Sequence, residues 1–414
     1  MNEKINRPLY LNKLVEFKDK DVVKIVTGIR RCGKSTLLEL FVDYLLKNGE
    51  KKDNIIYMNL ESIKFHTLND YLPFYEFVSS KIVKGEKNYL IFDELQSVNK
   101  WEKAIESFRL DFDVDIYITG SNAYLLSSEF STLLSGRYVE IRLLPLSFSE
   151  FLTFYNFPLT TSIDEKFQKY LQFGGMPILK QFDFNTPRSN EALEGIYSTV
   201  ILLDVLRRNN LTDQVLLNKL VRFLFDNVGN ITSPNNISNN LFPQSSGKNK
   251  VSVASKTIEK YLEMLQNAFI IYPVSRYDIK GKQLLKTLGK NYIVDIGFRN
   301  MLLGYRNGDR GHILENVVYL ELLRRDYRIS IGKIDSNEID FIAEKPEEKI
   351  YIQVCESLQG YEVQKRELRP LKMINDNYEK IILTMDHNYI KAYDGIKVIN
   401  IIEFLLDPVT HKNR

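Results

Sequence analysis

The chain is poor in the residues that build covalent or metal-held frameworks. It has two cysteines in 414 residues, Cys32 and Cys355. Two cysteines so far apart make no disulfide framework, which sets aside the small secreted scaffolds and makes a reducing, cytoplasmic compartment the expectation. Four histidines and two scattered cysteines give no metal-ligand spacing. No Ser-His-Asp arrangement stands out by order or spacing. Long apolar runs are missing too. Tyr89-Leu90-Ile91-Phe92 is typical of those present, against the ~18 residues a membrane span needs. The stretch Met1-Asn2-Glu3-Lys4-Ile5-Asn6-Arg7 has no apolar core and does not read as a signal peptide. Charge of one sign is scarce: the net is +3, which by itself says little about nucleic acid. There is no internal repeat. What remains is the composition of soluble globular protein, in a chain long enough for two to four domains.

The most informative stretch is Val22-Val23-Lys24-Ile25-Val26-Thr27-Gly28-Ile29-Arg30-Arg31-Cys32-Gly33-Lys34-Ser35-Thr36-Leu37-Leu38. A β-branched run breaks at Gly28, and a helical pattern resumes after Gly33. The loop reads G-x-x-x-x-G-K-S, the Walker A or P-loop pattern. Its backbone N–H groups converge on a polyphosphate, and the helix behind it points its positive end there. Gly28 and Gly33 allow backbone conformations and close approach that a Cβ blocks. Lys34 supplies a charge for the β and γ phosphates, and the Ser35 hydroxyl suits Mg²⁺. Gly28 through Thr36 therefore form the expected nucleotide-binding segment. Arg30 and Arg31 are unusual within such a loop; solvent and another domain are both open to them. Cys32 is either a small tolerated thiol, the preferred reading, or one whose pKa is lowered by the helix N-terminus.

Further strands are expected at Asn54–Leu60, Asn88–Glu94, Asp115–Asn122 and Tyr138–Leu143. Helices are expected at Ser35–Lys47, Pro73–Val83 and Trp101–Phe108. This alternation predicts a parallel α/β sheet covered on both faces. The third strand ends in Asp93 and Glu94, on the edge of the sheet where ligands sit. Asp93 is expected to hold Mg²⁺, and Glu94 to orient or deprotonate the attacking water. The fourth strand ends in Thr119-Gly120-Ser121-Asn122, where Asn122, and second Ser121, can reach between γ-phosphate and water. Arg137, in Leu133-Leu134-Ser135-Gly136-Arg137-Tyr138, is a candidate to stabilise the transferring phosphoryl group, in its own chain or a neighbour's.

These motifs resemble the AAA-type ATPases, in the branch with an acid beside the Mg²⁺ carboxylate and a polar sensor on the next strand. The resemblance implies the sheet order 5-1-4-3-2. More narrowly, the whole chain resembles a prokaryotic family of AAA-type ATP-binding proteins, archaeal-type ATPases related to the signal-transduction ATPases, with a C-terminal domain of unknown function. That match rests on Thr27–Ser35, Thr119–Asn122, Ser135-Gly136-Arg137 and Leu144-Pro145-Leu146-Ser147-Phe148. It implies ATP and Mg²⁺ as ligands, and hydrolysis of ATP to ADP and phosphate.

The ATPase core is expected at 1–146 and a helical lid at 147–195. In the lid, Ser147 and Glu150 have capping-box spacing, and a helix over Phe167–Phe173 ends at Gly174-Gly175-Met176-Pro177. By the family resemblance, Gly175 and Pro177 border the adenine. Region 196–292 reads as helices, including Thr212–Asn227, Asn236–Leu241 and Ser255–Leu265, followed by a hairpin from Phe269–Val274 and Leu284–Lys286. A loop is read at Ser245–Lys250. That order suggests a winged helix. Lys248 to Lys290 holds nine Lys and Arg against three acids, so DNA is a candidate partner, with Ser255, Lys256, Thr257 and Lys260 toward the groove. A partner protein or a second copy of the chain is the alternative.

Region 293–414 resembles the restriction-endonuclease-like fold. Glu315, Asp340 and Gln353 match its acidic positions, but Cys355 stands where the water-activating lysine belongs. An inactive nuclease-like domain is therefore expected. The reading is a three-part ATPase without a membrane segment. Its alternatives are an ATP-dependent nuclease and a non-hydrolysing, nucleotide-bound scaffold.

Overall fold

The computed structural model describes residue 4 and residues 6–123, 136–207, 209, 213–241, 255–306, 308 and 310–407. Features expected at Leu133, Leu134, Ser135, Thr212 and the Ser245–Lys250 loop lie outside the described residues. The chain divides into two compact units, residues 1–145 with 267–269, and residues 146–266 with 270–414. Among the described residues no helix is long and apolar enough to cross a membrane.

The first unit holds five strands: β1 Val23–Thr27, β2 Ile55–Asn59, β3 Asn88–Asp93, β4 Val114–Gly120 and β5 Tyr138–Arg142. They lie in the order β2-β3-β4-β1-β5, all pairs parallel, which read from the other edge is the expected 5-1-4-3-2. Every residue of β1 and β3 is buried, as a sheet covered on both faces requires. Side chains alternate between the faces. Val23, Ile25, Leu90, Phe92, Ile116 and Ile118 pack with Phe74 and Phe108 of the helices Tyr71–Ser79 and Trp101–Asp111. On the other face Tyr117 packs with tilted rings, centroids 4.4 Å apart, against Phe41 of the helix Lys34–Lys47, against which the helix Pro8–Glu16 packs. The same face buries a charge, for Lys24 of β1 is paired with Asp115 of β4. Burial pulls the Lys24 amine below its ordinary value and the Asp115 carboxylate opposes this. Such a pair tolerates the interior only because each charge has its partner.

The second unit begins with the helices Phe148–Phe154 and Ile163–Phe173, each opened by a complete capping box, from Ser147 to Glu150 and from Ser162 to Glu165. The helix Thr186–Thr199 runs on as a π-helical segment, Val200–Arg207. The helices Gln214–Asp226, Pro234–Leu241 and Ser255–Asn267 follow. The strands are β6 Ile231–Thr232, β7 Ile271–Asp278, β8 Gln283–Ile293, β9 Arg328–Ile334, β10 Asn337–Lys345, β11 Glu348–Cys355, β12 Glu379–Thr384, β13 Ala392–Tyr393 and β14 Ile396–Asn400. All nine form one sheet, ordered β13-β14-β12-β11-β10-β9-β7-β8-β6. The hairpin β7–β8, expected as a wing, thus continues into the C-terminal strands by parallel pairing of β7 with β9. One sheet crosses the boundary expected at 292/293.

The turn Gly174-Gly175 is explained inside this unit. Asp295 caps the helix Ile296–Leu303 by accepting the Gly297 N–H, and its other oxygen accepts the Gly175 N–H at 2.6 Å. A Cβ at Gly174 would stand 2.0 Å from the Asp295 carboxylate, and one at Gly175 2.3 Å from the Leu146 carbonyl oxygen. Burial pushes the Asp295 carboxyl up to about 7, against the pull of the backbone N–H groups of Gly175, Gly297 and Phe298. The folded group therefore keeps its proton at pH values where an unfolded aspartate has lost it. Its contribution to stability is full below the unfolded value of 3.8 and fades as pH rises through about 7. Asp295→Ala should destabilise the protein by about 3 kcal/mol, since buried N–H groups lose their acceptor. Denaturant unfolding should give a larger loss at pH 5 than at pH 8, and a loss independent of pH would contradict this assignment.

Candidate functional site

The carboxyl ends of β1, β3 and β4 carry the candidate site. β1 ends at Thr27, and the chain turns sharply at Gly28, whose φ is +148°. A Cβ there would meet the Leu143 carbonyl oxygen at 2.2 Å, so close approach alone demands glycine. Gly33 differs: nothing lies within 4 Å of an added Cβ, and its φ of +106° is the reason for the residue. Gly33 is the N-cap of the helix Lys34–Lys47 and offers no side chain to cap it. The first N–H groups of that helix face the loop without a side-chain acceptor, the arrangement that suits an anion.

Lys34 opens this helix and is 4% exposed. Its ammonium donates to the carbonyl oxygens of Gly28 at 3.0 Å and Ile29 at 3.4 Å, and stands 3.6 Å from Glu94 Oε1. Asp93, the last residue of β3, is fully buried. It accepts the Thr119 hydroxyl at 2.6 Å and the Asn59 amide at 2.9 Å, and the Ser35 hydroxyl also hydrogen-bonds to it. Burial pushes the Asp93 carboxyl up, while the hydroxyls of Thr119 and Ser35 pull it down. Glu94 takes a left-handed backbone, φ +55°, stabilised as its N–H donates to Thr119 Oγ1 at 2.8 Å. Gln96 donates its amide to the Glu94 carboxylate. One hydroxyl on β4 thus fixes both acids of β3. Lys34, Ser35, Asp93 and Glu94 are brought together as the sequence suggested. Ser35 and Asp93 offer the hard oxygen donors that Mg²⁺ takes.

Ser121 and Asn122 are buried just past β4, beside the end of β1. Ser121 Oγ has no hydrogen-bond partner among the described residues. Arg30 pairs with Glu61 at 3.3 Å, whereas Arg31, at φ +66°, is exposed. Ile29 is buried and Thr36 half-buried. Burial pushes the Cys32 thiol up, while the nearby Lys34 and Arg7 charges pull it down.

Arg137 needs correction as an in-chain catalytic group. Its carbonyl accepts the N–H of Val23, the first residue of β1, so it lies at the amino edge of the sheet. The site is at the carboxyl edge, a strand of five residues away, or about 16 Å. A residue that precedes a parallel strand enters at the wrong end. Gly175 and Pro177 lie in the second unit, where Gly175 is held by Asp295 and Leu146, and Pro177 opens the turn Pro177–Phe182.

Two contributors were missed in the sequence. Arg7 is buried and donates to the Cys32 carbonyl at 3.2 Å and the Leu144 carbonyl at 2.9 Å, tying the phosphate loop to the chain after β5. Asn59 closes β2 against Asp93, and its Oδ1 accepts the Glu61 N–H at 3.0 Å. Only strand order, not local sequence, brings them in.

In the second unit Lys256 and Lys260 are exposed on the helix Ser255–Asn267, with Ser255 and Thr257 half-buried. Lys290, counted in the basic stretch, is buried and unavailable to a partner. Gln353 Oε1 accepts the Asp340 N–H at 3.4 Å and its amide donates to Glu367 at 3.1 Å. The Cys355 thiol is buried and pushed up to about 12. Among the described residues no three His, Cys, Asp or Glu side chains are grouped as a metal ligand set.

The profile described as an AAA domain matches residues 20–152. A second, described as a domain of unknown function (DUF8612), matches residues 164–309. An uncharacterized protein of Haemophilus influenzae is 41% identical over 406 residues, 97% of this chain and 98% of that one. Uncharacterized protein MJ1544 of Methanocaldococcus jannaschii is 31% identical over 425 aligned positions, 97% of this chain and 90% of that one. Among solved structures, the Walker-type ATPase PABY2304 of Pyrococcus abyssi aligns with 72% of this chain and 95% of its own, at 17% identity and a TM-score of 0.48. With a parallel sheet ordered β2-β3-β4-β1-β5, a glycine-lysine-serine loop after β1 and paired acids after β3, all within the match to the AAA domain, the chain belongs to one family with the Haemophilus influenzae protein and MJ1544.

Proposed function

We propose that the chain binds ATP with Mg²⁺ at the loop Gly28–Thr36 and hydrolyses it to ADP and phosphate. The observation that carries this reading is the meeting of the Lys34 ammonium with Glu94, beside Asp93 and Ser35. The loop N–H groups and the Lys34 ammonium bind the β and γ phosphates. To do so Lys34 exchanges two loop carbonyls and Glu94 for phosphate oxygens, which releases Glu94. The freed carboxylate, oriented by Gln96, accepts a proton from the attacking water. Asn122 holds that water or the γ-phosphate. Ser35 and Asp93 would hold Mg²⁺, which would supply positive charge to neutralise the phosphates. Loss of the γ-phosphate returns Lys34 to Glu94, a two-state change that can drive a conformational switch.

We further propose DNA as the partner, through Ser255, Lys256, Thr257 and Lys260. The support is the run of helices ending in the hairpin β7–β8, with Lys256 and Lys260 both exposed on the last helix. A partner protein at this helix is the competing occupant.

The test is the ATPase rate with and without duplex DNA. Glu94→Gln should keep nucleotide binding and lose about 10²–10⁴-fold in turnover; unchanged turnover would leave the scaffold reading. DNA should raise the wild-type rate. Replacing Lys256 and Lys260 together with alanine should remove that increase and flatten the salt dependence of binding. Binding without salt dependence would favour a protein partner.

A further inference from the structure

A lysine and three acids meet in the second unit where β8, β10 and the helix Arg310–Arg324 come together. Lys290 Nζ lies 2.6 Å from Glu315 Oε1, 2.8 Å from Glu338 Oε1 and 3.6 Å from Asp340 Oδ1. The residues are deeply set: Lys290 is 4% exposed, Glu315 6% and Asp340 8%. The outer oxygens of Glu315 and Asp340 are engaged elsewhere. His312 Nδ1 stands 3.7 Å from Glu315 Oε2, and the Val354 N–H donates to Asp340 Oδ2 at 2.8 Å. The Tyr292 hydroxyl adds a second donor to Glu315 Oε1.

Glu315 and Asp340 are two of the acids that the sequence offered for a cation, in a domain whose water-activating lysine is replaced by Cys355. A lysine does reach these acids, but from β8, outside the segment that supplies them. It does not flank the space between the acids; its ammonium stands within ion-pair range of all three. We propose that the Lys290 ammonium takes the place of a divalent cation in the nest of Glu315, Glu338 and Asp340, as a built-in counter-ion.

The charges support this. Three carboxylates outnumber one ammonium, and a buried excess is costly. The nest relieves it with a proton: burial and the neighbouring Glu315 push the Asp340 carboxyl up to about 8. Glu338 is more exposed than the other two, yet its Oε2 is buried without a hydrogen-bond partner among the described residues, so Lys290 is the group that meets its charge. Lys290 is held above the ordinary amine range by its acids, although burial opposes it. The ammonium also joins the hairpin to the C-terminal strands, since it belongs to β8 while its partners lie on β10 and the helix Arg310–Arg324. This inference is independent of the ATPase reading, because none of these groups belongs to the first unit.

The test is Mn²⁺ uptake by the full chain, read from the loss of the free-ion electron paramagnetic resonance signal. Wild type supplies the baseline for any ion held elsewhere. Lys290→Ala opens the space and removes the charge, and should take up one Mn²⁺ per chain more than wild type, with Kd tighter than about 1 mM. Adding Glu315→Gln should abolish the extra ion, and Mn²⁺ should raise the unfolding midpoint of Lys290→Ala alone. No extra uptake by folded Lys290→Ala would overturn the proposal. Asp340→Asn in the wild-type background keeps the lysine with two glutamates and tests the same point without opening the nest. Its Mn²⁺ uptake should equal that of wild type, and a fall would mean that the native nest already holds a cation.

Discussion

Lys34 is almost out of reach of water, and its charge has to be met by what surrounds it. In the structure two loop carbonyls and the Glu94 carboxylate meet it. On the proposed reading, a phosphate chain offers more negative charge to the same ammonium and displaces Glu94. One contact would then couple phosphate binding to release of the group proposed to act on water. Buried ion pairs contribute little net stability but penalise any state in which one partner is left alone. That asymmetry gives the site two defined arrangements rather than a continuum.

The rest of the first unit follows from holding Lys34 and the two acids in register. β1 lies between β4 and β5, so the loop after it emerges beside the ends of both neighbours. Thr119 on β4 reaches both acids of β3, and Asn59 on β2 supports Asp93 from the far side. Arg7 anchors the back of the loop to the segment after β5. The second unit has its own polar centres: Asp295 binds the turn Gly174-Gly175, and Lys290 unites β8 with the acids of the C-terminal strands.

The phosphate loop was legible because its chemistry is local. Glycine, lysine and serine at fixed spacing, between a β-branched run and a helix, admit few other structures. The acids after β3 were legible for the same reason. Arg137 precedes β5, and in a parallel sheet that end places it at the amino edge, away from the loop of its own chain; action on a neighbour's site is untouched by this. Nothing in the local sequence shows that Lys24 is buried; its partner Asp115 reaches it only because β1 lies beside β4. Arg7, Asn59 and Lys290 each act on residues far away in sequence, and no local spacing announces such pairings. The pairing of Gly174 with Gly175 had a structural cause 120 residues on, in Asp295. The hairpin β7–β8 was visible as a hairpin, but its union with β9 depends on parallel pairing of residues 55 apart, such as Arg276 with Ile331, beyond any local pattern.

The central claim is that Lys34 answers to phosphate charge at the carboxyl edge of β1. Titration calorimetry of ATP with Mg²⁺ into the full chain, compared with Lys34→Ala, tests it most directly. The account predicts one equivalent of nucleotide bound by wild type and affinity weakened by at least about a hundredfold in Lys34→Ala, as loss of a buried charge contact of about 3 kcal/mol requires. Equal affinity in the two proteins, or no heat of binding in wild type, would contradict it.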